Sequence, residues 1–340
     1  MRILVLGATG FIGGQIARVA VEAGYEVRAF CRPHSQRWAL QGLQVEPVIG
    51  DLEAPASLVT AMKGCQAVIH AAGYYPSGPA PRARHVERAR RQIRHVLDAA
   101  RQAGIRRLIY TSSISTIGPI RAGHLGSEQD FYWPGQMAHP YWDCKWVQEQ
   151  AVLSADGLET ITLIPGAVFG PGDVKPTTGT ALLAMARLGT RVTLTGRINV
   201  VDVRDVAQAH VAALTRGHPG ERYLLGGHNV TVQEFVAEAA RVLGRPGPVV
   251  ALPMELIGWP LCWMARLAMR AGLPGSVSLA YLLEAIQAGQ WVDSTKAQQE
   301  LGFRLRPLAE TLADAVAWFR AHGAFDRPLR SLAMMKAKDG

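Results

Sequence analysis

The sequence predicts an α/β protein, a doubly wound, mainly parallel sheet with a smaller, mostly helical C-terminal lobe. Three observations predict it. An apolar strand at the N-terminus runs straight into a glycine-rich turn and a helical pattern. Short apolar runs then alternate with helical stretches as far as residue 165. Beyond residue 225 the periodicity is helical, at 231–243, 254–272, 276–288, 294–301 and 308–321.

The chain has 340 residues, 49% of them hydrophobic and 19% charged, which suits two packed lobes and excludes a disordered chain. A strand beginning at residue 2 leaves no room for a signal or transit peptide, so a cytoplasmic protein is expected. Cys31, Cys65, Cys144 and Cys262 are scattered, with no C-x-x-C pair and no metal-ligand spacing. Reduced thiols are expected, with neither disulfide nor metal. The net charge of +9 is concentrated between Arg82 and Arg107, where nine arginines face only Glu87 and Asp98. Val86, Ile93, Val96, Leu97 and Ala100 recur there at helical spacing, so one face is core and the arginines take the other. A solvated helix face is the first reading; an acidic partner, an anionic membrane surface or an anionic substrate competes with it. No nucleic-acid motif accompanies the charge, and no nucleic-acid partner is expected.

Ile3–Leu6 reads as a short buried strand, and Gly7-Ala8-Thr9-Gly10-Phe11-Ile12-Gly13 turns it into a helix marked by Ile12, Ile16, Val19 and Ala20. Gly7 permits the sharp turn, Gly10 lets the backbone approach a pyrophosphate, and Gly13 lets the helix pack on the strand. The helix N-terminus offers N–H groups to the phosphates, so a dinucleotide is the expected ligand. Tyr25–Phe30 is the second strand, ending in Cys31-Arg32. NAD-preferring proteins of this build place an acidic residue at that strand end for the adenosine ribose hydroxyls. Here the position holds Cys31, and the guanidinium fork of Arg32 beside it suits a 2′-phosphate. NADP(H) is favoured, with NAD(H) as the alternative. Val45–Ile49 and Ala67–Ala72 are the third and fourth strands, followed by Gly50-Asp51-Leu52 and by Gly73.

Arg107–Tyr110 is the fifth strand and runs into Thr111-Ser112-Ser113-Ile114-Ser115. This hydroxyl cluster lies at the C-terminal end of a parallel strand, where open α/β sheets bind ligands. Its partner is Tyr141-Trp142-Asp143-Cys144-Lys145, a Y-x-x-x-K that puts both side chains on one helix face, about 5–6 Å apart at Cβ. A tyrosine titrating at about 10 is a poor acid–base near neutrality, and an adjacent ammonium is expected to bring it down. Tyr141 and Lys145 are the catalytic pair, with Ser113 as third member and Ser112 as the fallback.

Thr160–Ile164 is the sixth strand, and Pro165–Gly172 breaks regular structure on the way into the second lobe. Asn199–Ala207 reads as a strand and helix returning to the first lobe, with Asp205 structural. The expected division is a nucleotide-binding domain over 1–165, rejoined by 198–225, and a substrate lobe over 166–197 and 226–325. The tail 326–340 is expected to be loose, with Lys336 and Lys338 solvated. Leu256–Ala265 is a charge-free run of ten, too short for a membrane span. A lobe core competes there with a pocket wall or an interfacial helix.

In its glycine turn, its serine cluster and its Y-x-x-x-K, the chain resembles the extended short-chain dehydrogenases/reductases of NAD-dependent epimerase/dehydratase type. Arg32 is similar to the arginine of dihydroflavonol reductases. Segments 169–179, 199–207 and 220–227 resemble hopanoid-associated epimerase/reductase members. The resemblance covers nearly the whole chain, to about residue 323. It implies that Tyr141, Lys145 and Ser113 are catalytic and that Lys145 also holds the nicotinamide ribose. It further implies cofactor contacts at Gly7, Thr9, Gly10, Phe11, Ile12, Gly13, Arg32, Asp51, Leu52, Ala71, Ala72, Gly73, Tyr141, Lys145, Pro165 and Val168, with Asp51 at the adenine edge or else a helix cap. The family's asparagine in the following helix is Ala89 here, and Gln92 replaces its glycine, so no catalytic asparagine carries over. Three activities fit: net reduction of a ketone or aldehyde on a hydrophobic substrate (isoprenoid-, steroid- or flavonoid-like), epimerisation or dehydration of a nucleotide sugar, and non-catalytic cofactor sensing. Intact Tyr141 and Lys145 speak against the sensor. A homodimer or a monomer is expected.

Overall fold

The computed structural model describes residues 1–76, 80–174, 176–271 and 276–325, the side chains of residues 270 and 276–278 excepted. The tail with Lys336 and Lys338, and position 272 of the pattern 254–272, lie outside the described residues.

β1 (Arg2–Leu6) alternates between two cores, with Ile3 and Val5 on one sheet face and Leu4 and Leu6 on the other. Burial on both faces is what a helix-covered parallel sheet requires. α1 (Phe11–Glu22) lays Ile16, Ala17 and Ala20 on the first face. The alternation continues through β2 (Glu26–Cys31), β3 (Glu46–Ile49), α2 (Pro55–Met62), β4 (Ala67–His70), α3 (Arg82–Gln102), β5 (Arg107–Thr111), α4 (Pro140–Leu153) and β6 (Glu159–Pro165). The chain then leaves the sheet through β7 (Ala167–Phe169), α5 (Thr180–Leu188), β8 (Val192–Leu194) and β9 (Arg197–Asp202). α6 (Val203–Ala213) comes back to pack on α1, and β10 (Arg222–Leu225) adds the last strand. The sheet runs β3-β2-β1-β4-β5-β6-β10, all parallel. Winding proceeds one way from β1 and the other way from β4, so a crevice opens beyond the C-terminal ends of these two strands.

The chain continues through β11 (His228–Thr231), α7 (Val232–Leu243), β12 (Val250–Leu252), α8 (Met254–Arg270), α9 (Ser276–Ala288), α10 (Thr295–Leu301) and α11 (Leu308–Ala321). All but α10 build the second lobe; α10, expected there, packs Ala297 and Leu301 into the first lobe's core beside α6 and β10. The second lobe's core gathers Leu182, Leu183, Phe235, Leu283, Leu312 and Phe319. A capping box between Thr231 and Glu234 starts α7, and Gly244 at φ 68° ends it.

The structure departs from the sequence reading at β2, after Pro165 and at β9. β2 ends at Cys31, one residue later than expected. The stretch after Pro165, expected to be irregular, contains β7. β9 does not rejoin the large sheet; it pairs with β7 and β11, held by Asn199, whose amide oxygen accepts from Gly227 N at 2.9 Å. Only α6 and β10 of the segment 198–225 return. Asp205 on α6 does take a structural partner, accepting from Arg306 N at 2.8 Å and pairing with its guanidinium.

α3 buries Ile93, Val96, Leu97 and Ala100 as its periodicity predicts, while Val86 is only partly buried. Its arginines are largely neutralised. Arg82 pairs with Asp143, Arg88 and Arg91 with Glu53, Arg90 with Glu87, and Arg101 with Asp98. Arg106 and Arg107 share Glu159. Burial raises the Glu53 carboxyl, but the bonds from Arg88, Gln92 and Arg91 prevail and hold it down to about 2.

Candidate active site

The glycine turn sits at the switch point. Gly7 takes φ +86°, and a Cβ there would meet Ala71 C and Ala72 N at 2.9 Å, so the loops after β1 and β4 touch. A Cβ on Gly13 would lie 2.1 Å from the Gly7 carbonyl oxygen, which leaves room for glycine only. Gly10 is the N-cap of α1 and supplies no side chain to its first turn. Those N–H groups, the half-buried Thr9 and the bare backbone of Ala71, Ala72 and Gly73 form a concave, donor-rich cradle that fits a dinucleotide pyrophosphate. Phe11 and Ile12 pack partly on the core beneath, and Val168 is buried in it, so Val168 can offer a ligand little besides backbone. Pro165 closes β6 at the same sheet end.

At the end of β2, Cys31 is 0% exposed and belongs to the apolar core, and Arg32 follows directly on the surface. Gly50 N donates to Cys31 O at 3.0 Å, which sets Asp51 and Leu52 beside this strand end. Asp51 does not cap α2, whose N-cap is Ala54; its carboxylate accepts from Glu53 N at 2.8 Å. Leu52 O pairs with the ring of His95 at 2.8 Å.

α4 carries Tyr141 and Lys145, the pair expected to be catalytic. His139 caps it, its Nδ1 accepting from Tyr141 N at 3.2 Å, and Pro140 occupies the first turn, so the helix starts just before Tyr141. Lys145, one turn later, is buried and donates to Thr111 O at 3.0 Å. A Cβ on Gly73 would lie 2.5 Å from the Lys145 Nζ, so that glycine keeps the amine's place free. Burial brings Lys145 down to about 8, against the pull of the Glu149 carboxylate. Burial also pushes the Tyr141 phenol up to about 12, and the bond to the Ser113 hydroxyl only partly offsets it. The expected lowering of Tyr141 by Lys145 is therefore not found; desolvation wins, and Tyr141 is a neutral phenol.

Ser113 follows β5 and hydrogen-bonds Tyr141. Ser112, the fallback, is buried and engaged with Glu149 and Thr116, beneath the buried Glu149–Arg222 ion pair of 2.9 Å. Ala89, at the family's asparagine position, packs against Cys144 and Val147. The Thr111 carbonyl is what receives the lysine instead. The Thr111 hydroxyl meets His210 Nε2 at 2.7 Å, and His210 Nδ1 meets Val206 O at 2.8 Å, which makes Nδ1 the protonated nitrogen. Burial lowers His210 to about 4, keeping it neutral in that chain.

Sequence reasoning missed the aromatic surround. Tyr281 of α9 sets its ring edge-on to Tyr141, with centroids 4.9 Å apart, and bonds the Ser113 side chain. Tyr75 lies 5.2 Å from Tyr141, centroid to centroid, and His139 lies 5.6 Å from Tyr281. Nothing in a helix 140 residues downstream marks one tyrosine as an active-site wall. His139 did carry a signal, standing directly before a proline at a helix start.

Residues 3–226 match the NAD dependent epimerase/dehydratase family. The chain belongs to that family. Over 329 residues it is 34% identical to a putative dihydroflavonol 4-reductase of Synechocystis, covering 94% of each chain. It is 31% identical to sterol demethylase protein B of Methylococcus capsulatus, covering 95% of this chain and 99% of that one. A solved structure, described as a nucleoside-diphosphate-sugar epimerase from Pseudomonas aeruginosa, shares 31% identity with a TM-score of 0.79, over 96% of this chain and 99% of the other. These epimerase/dehydratase relatives share the Rossmann-type α/β build.

Proposed function

We propose that this epimerase/dehydratase family member is an NADP(H)-dependent reductase acting on a carbonyl or secondary alcohol of a small hydrophobic substrate. The observation that carries the reading is the end of β2. There a buried Cys31 replaces the ribose-binding carboxylate, and Arg32 stands next to it on the surface. A carboxylate would repel a 2′-phosphate, and a guanidinium grips one. The turn Gly7–Gly13, with Asp51, Leu52, Ala71–Gly73, Pro165 and Val168, would hold the rest of the cofactor. Bound there, the nicotinamide supplies or accepts the hydride. Tyr141 gives its hydroxyl proton to the substrate oxygen, and Ser113 donates to the same oxygen as charge develops on it. Lys145, at about 8, is suited to return a proton to Tyr141 near neutrality.

Tyr75, Tyr281 and His139 around Tyr141 favour a flat, apolar substrate, in line with the flavonol and sterol names of two relatives. A substrate of that kind partitions into bilayers, which makes a membrane surface a natural place to meet it. Nucleotide-binding work is assigned to residues 1–165 with α6 and β10, and substrate binding to 166–197 and 226–325. The protein is taken to act in the cytoplasm as a monomer or homodimer.

The second reading, nucleotide-sugar epimerisation, draws on the Pseudomonas structure. The two separate on cofactor handling, because an epimerase gains by retaining NAD and a net reductase must release its cofactor each cycle. Fluorescence titration of the purified protein tests this. NADPH should bind about 10- to 150-fold more tightly than NADH, the range of one charge-assisted hydrogen bond, and Arg32→Ala should remove most of that preference. Equal affinity, or NAD carried through purification, would favour the epimerase.

A further inference from the structure

We infer that the outward side of α8, with the adjoining edges of β8 and β12, docks the protein on an anionic lipid bilayer. α8 is apolar on two sides. Met254, Cys262 and Ala265 face the lobe core. A second stripe, Leu256, Trp259, Pro260, Trp263, Met264 and Leu267, recurs at i, i+3, i+4, i+7, i+8 and i+11 and faces outward. Leu256 is 76% exposed, Trp259 73% and Trp263 51%, and no side chain of the stripe carries a charge. Val192, Val250 and Leu252 extend the surface at one end, and Leu279 and Leu282 of α9 widen it. Monomeric proteins seldom leave so much adjoining apolar surface open without a use for it.

Charge selects the occupant. Arg191 and Arg245 are exposed beside the β8–β12 pair, and the Arg191 carbonyl accepts from Val249 N and Val250 N at 2.9 and 3.1 Å. Among the described residues of β8, β12 and α8, Glu255 is the one acid. A second copy meeting this face across a twofold axis would set arginines against arginines. An anionic headgroup layer matches them, and indole rings with guanidinium groups are the side chains that settle at a membrane–water boundary. No described helix is long and apolar enough to cross a membrane, so the contact is with one leaflet. The placement is also apt. Arg266 of α8 reaches Glu284 of α9 at 3.2 Å, and Tyr281, one turn before Glu284, packs on Tyr141. The candidate active site therefore lies one helix layer behind the docked face. The paired arginines of α3 take no part, and the inference holds whichever reaction the site performs.

Flotation of the full chain tests it, using vesicles of phosphatidylcholine alone and of phosphatidylcholine mixed with phosphatidylglycerol. The wild type should float with the mixed vesicles at low salt. W259S/W263S should lower the bound-to-free ratio at least about tenfold, since each indole removes a large apolar area from water. R191Q/R245Q should cost about fivefold per charge at low salt and little at high salt. Brominated lipids should quench the tryptophan fluorescence of the wild type and spare that of W259S/W263S. Unchanged nucleotide affinity shows that each variant is folded. Equal recovery with and without vesicles, or unaltered flotation of W259S/W263S, would overturn the inference. So would a wild-type dimer that W259S/W263S splits, which would assign the face to a second copy.

Discussion

Replacing Lys145 with methionine should make the cofactor-free protein more stable near neutrality while abolishing turnover. The ammonium is buried, and burial takes it from 10.5 to about 8. A drop of that size corresponds to about 3 kcal/mol of unfavourable burial. The sign follows from proton counting. Between pH 8 and 10.5 the unfolded chain still binds the proton and the folded one does not, so stability rises with pH across that window. Below pH 8 both states are protonated, and the folded state carries the full cost. Methionine keeps the length of the stem and removes the charge, but it leaves Thr111 O without its 3.0 Å donor, which costs about 1–3 kcal/mol. A net gain of about 1 kcal/mol at pH 7 is therefore expected, together with loss of the pH dependence. Guanidinium melts of wild type and Lys145→Met at pH 7 and pH 10 measure this directly. Taking the difference between the two proteins cancels every other titrating group. If both gain equally between the two pH values, Lys145 is not desolvated as described and the reasoning fails.

Tyr141→Phe should lose about a thousandfold in kcat, the upper range for a general acid–base group, and leave NADPH affinity unchanged. Steady-state kinetics beside a fluorescence titration check it; turnover near the wild-type rate would remove Tyr141 from the chemistry. Gly73→Ala should still fold, with a Tm lowered by a few degrees at most, because the group 2.5 Å from the new methyl is the end of the Lys145 side chain, which can swing aside at the cost of its bond to Thr111 O. Its turnover should fall at least tenfold as the amine leaves Thr111 O, so a normal kcat in this variant would show that the amine's position is unimportant.

Much of this architecture was legible because its signals are local. Gly13 must be glycine for a reason two turns of chain explain, and the C-terminal helical patterns reflect side chains packing on a core, the second lobe's for α7, α8, α9 and α11 and the first lobe's for α10. The Tyr141–Lys145 pair needed only helical spacing. What failed to show is what depends on distant partners. β9 carries an apolar run fit for either sheet, and its place is set by distant partners: the ladders to β7 and β11 and the Asn199 contacts with Gly227 and Asn229. The low-lying phenol expected from an adjacent ammonium required knowing how dry the site is. Thr111 O as the lysine's acceptor, and Tyr281 as its neighbour's wall, arise from elements that meet only after folding.

The helix that bears Tyr141 is not anchored by its own half of the protein alone. Glu284 on α9 accepts from His139 N at 2.9 Å, at the cap of α4, and is itself gripped by Arg266. The lobe proposed to bind substrate and the helix proposed to move the proton thus share one fastening. Specificity in such a molecule cannot be exchanged by grafting α8 and α9 from a relative as an interchangeable cartridge. Any graft that drops Glu284 loosens the start of the helix that bears Tyr141, so on the proposed reading new substrate preference and retained chemistry must be selected together at that one carboxylate.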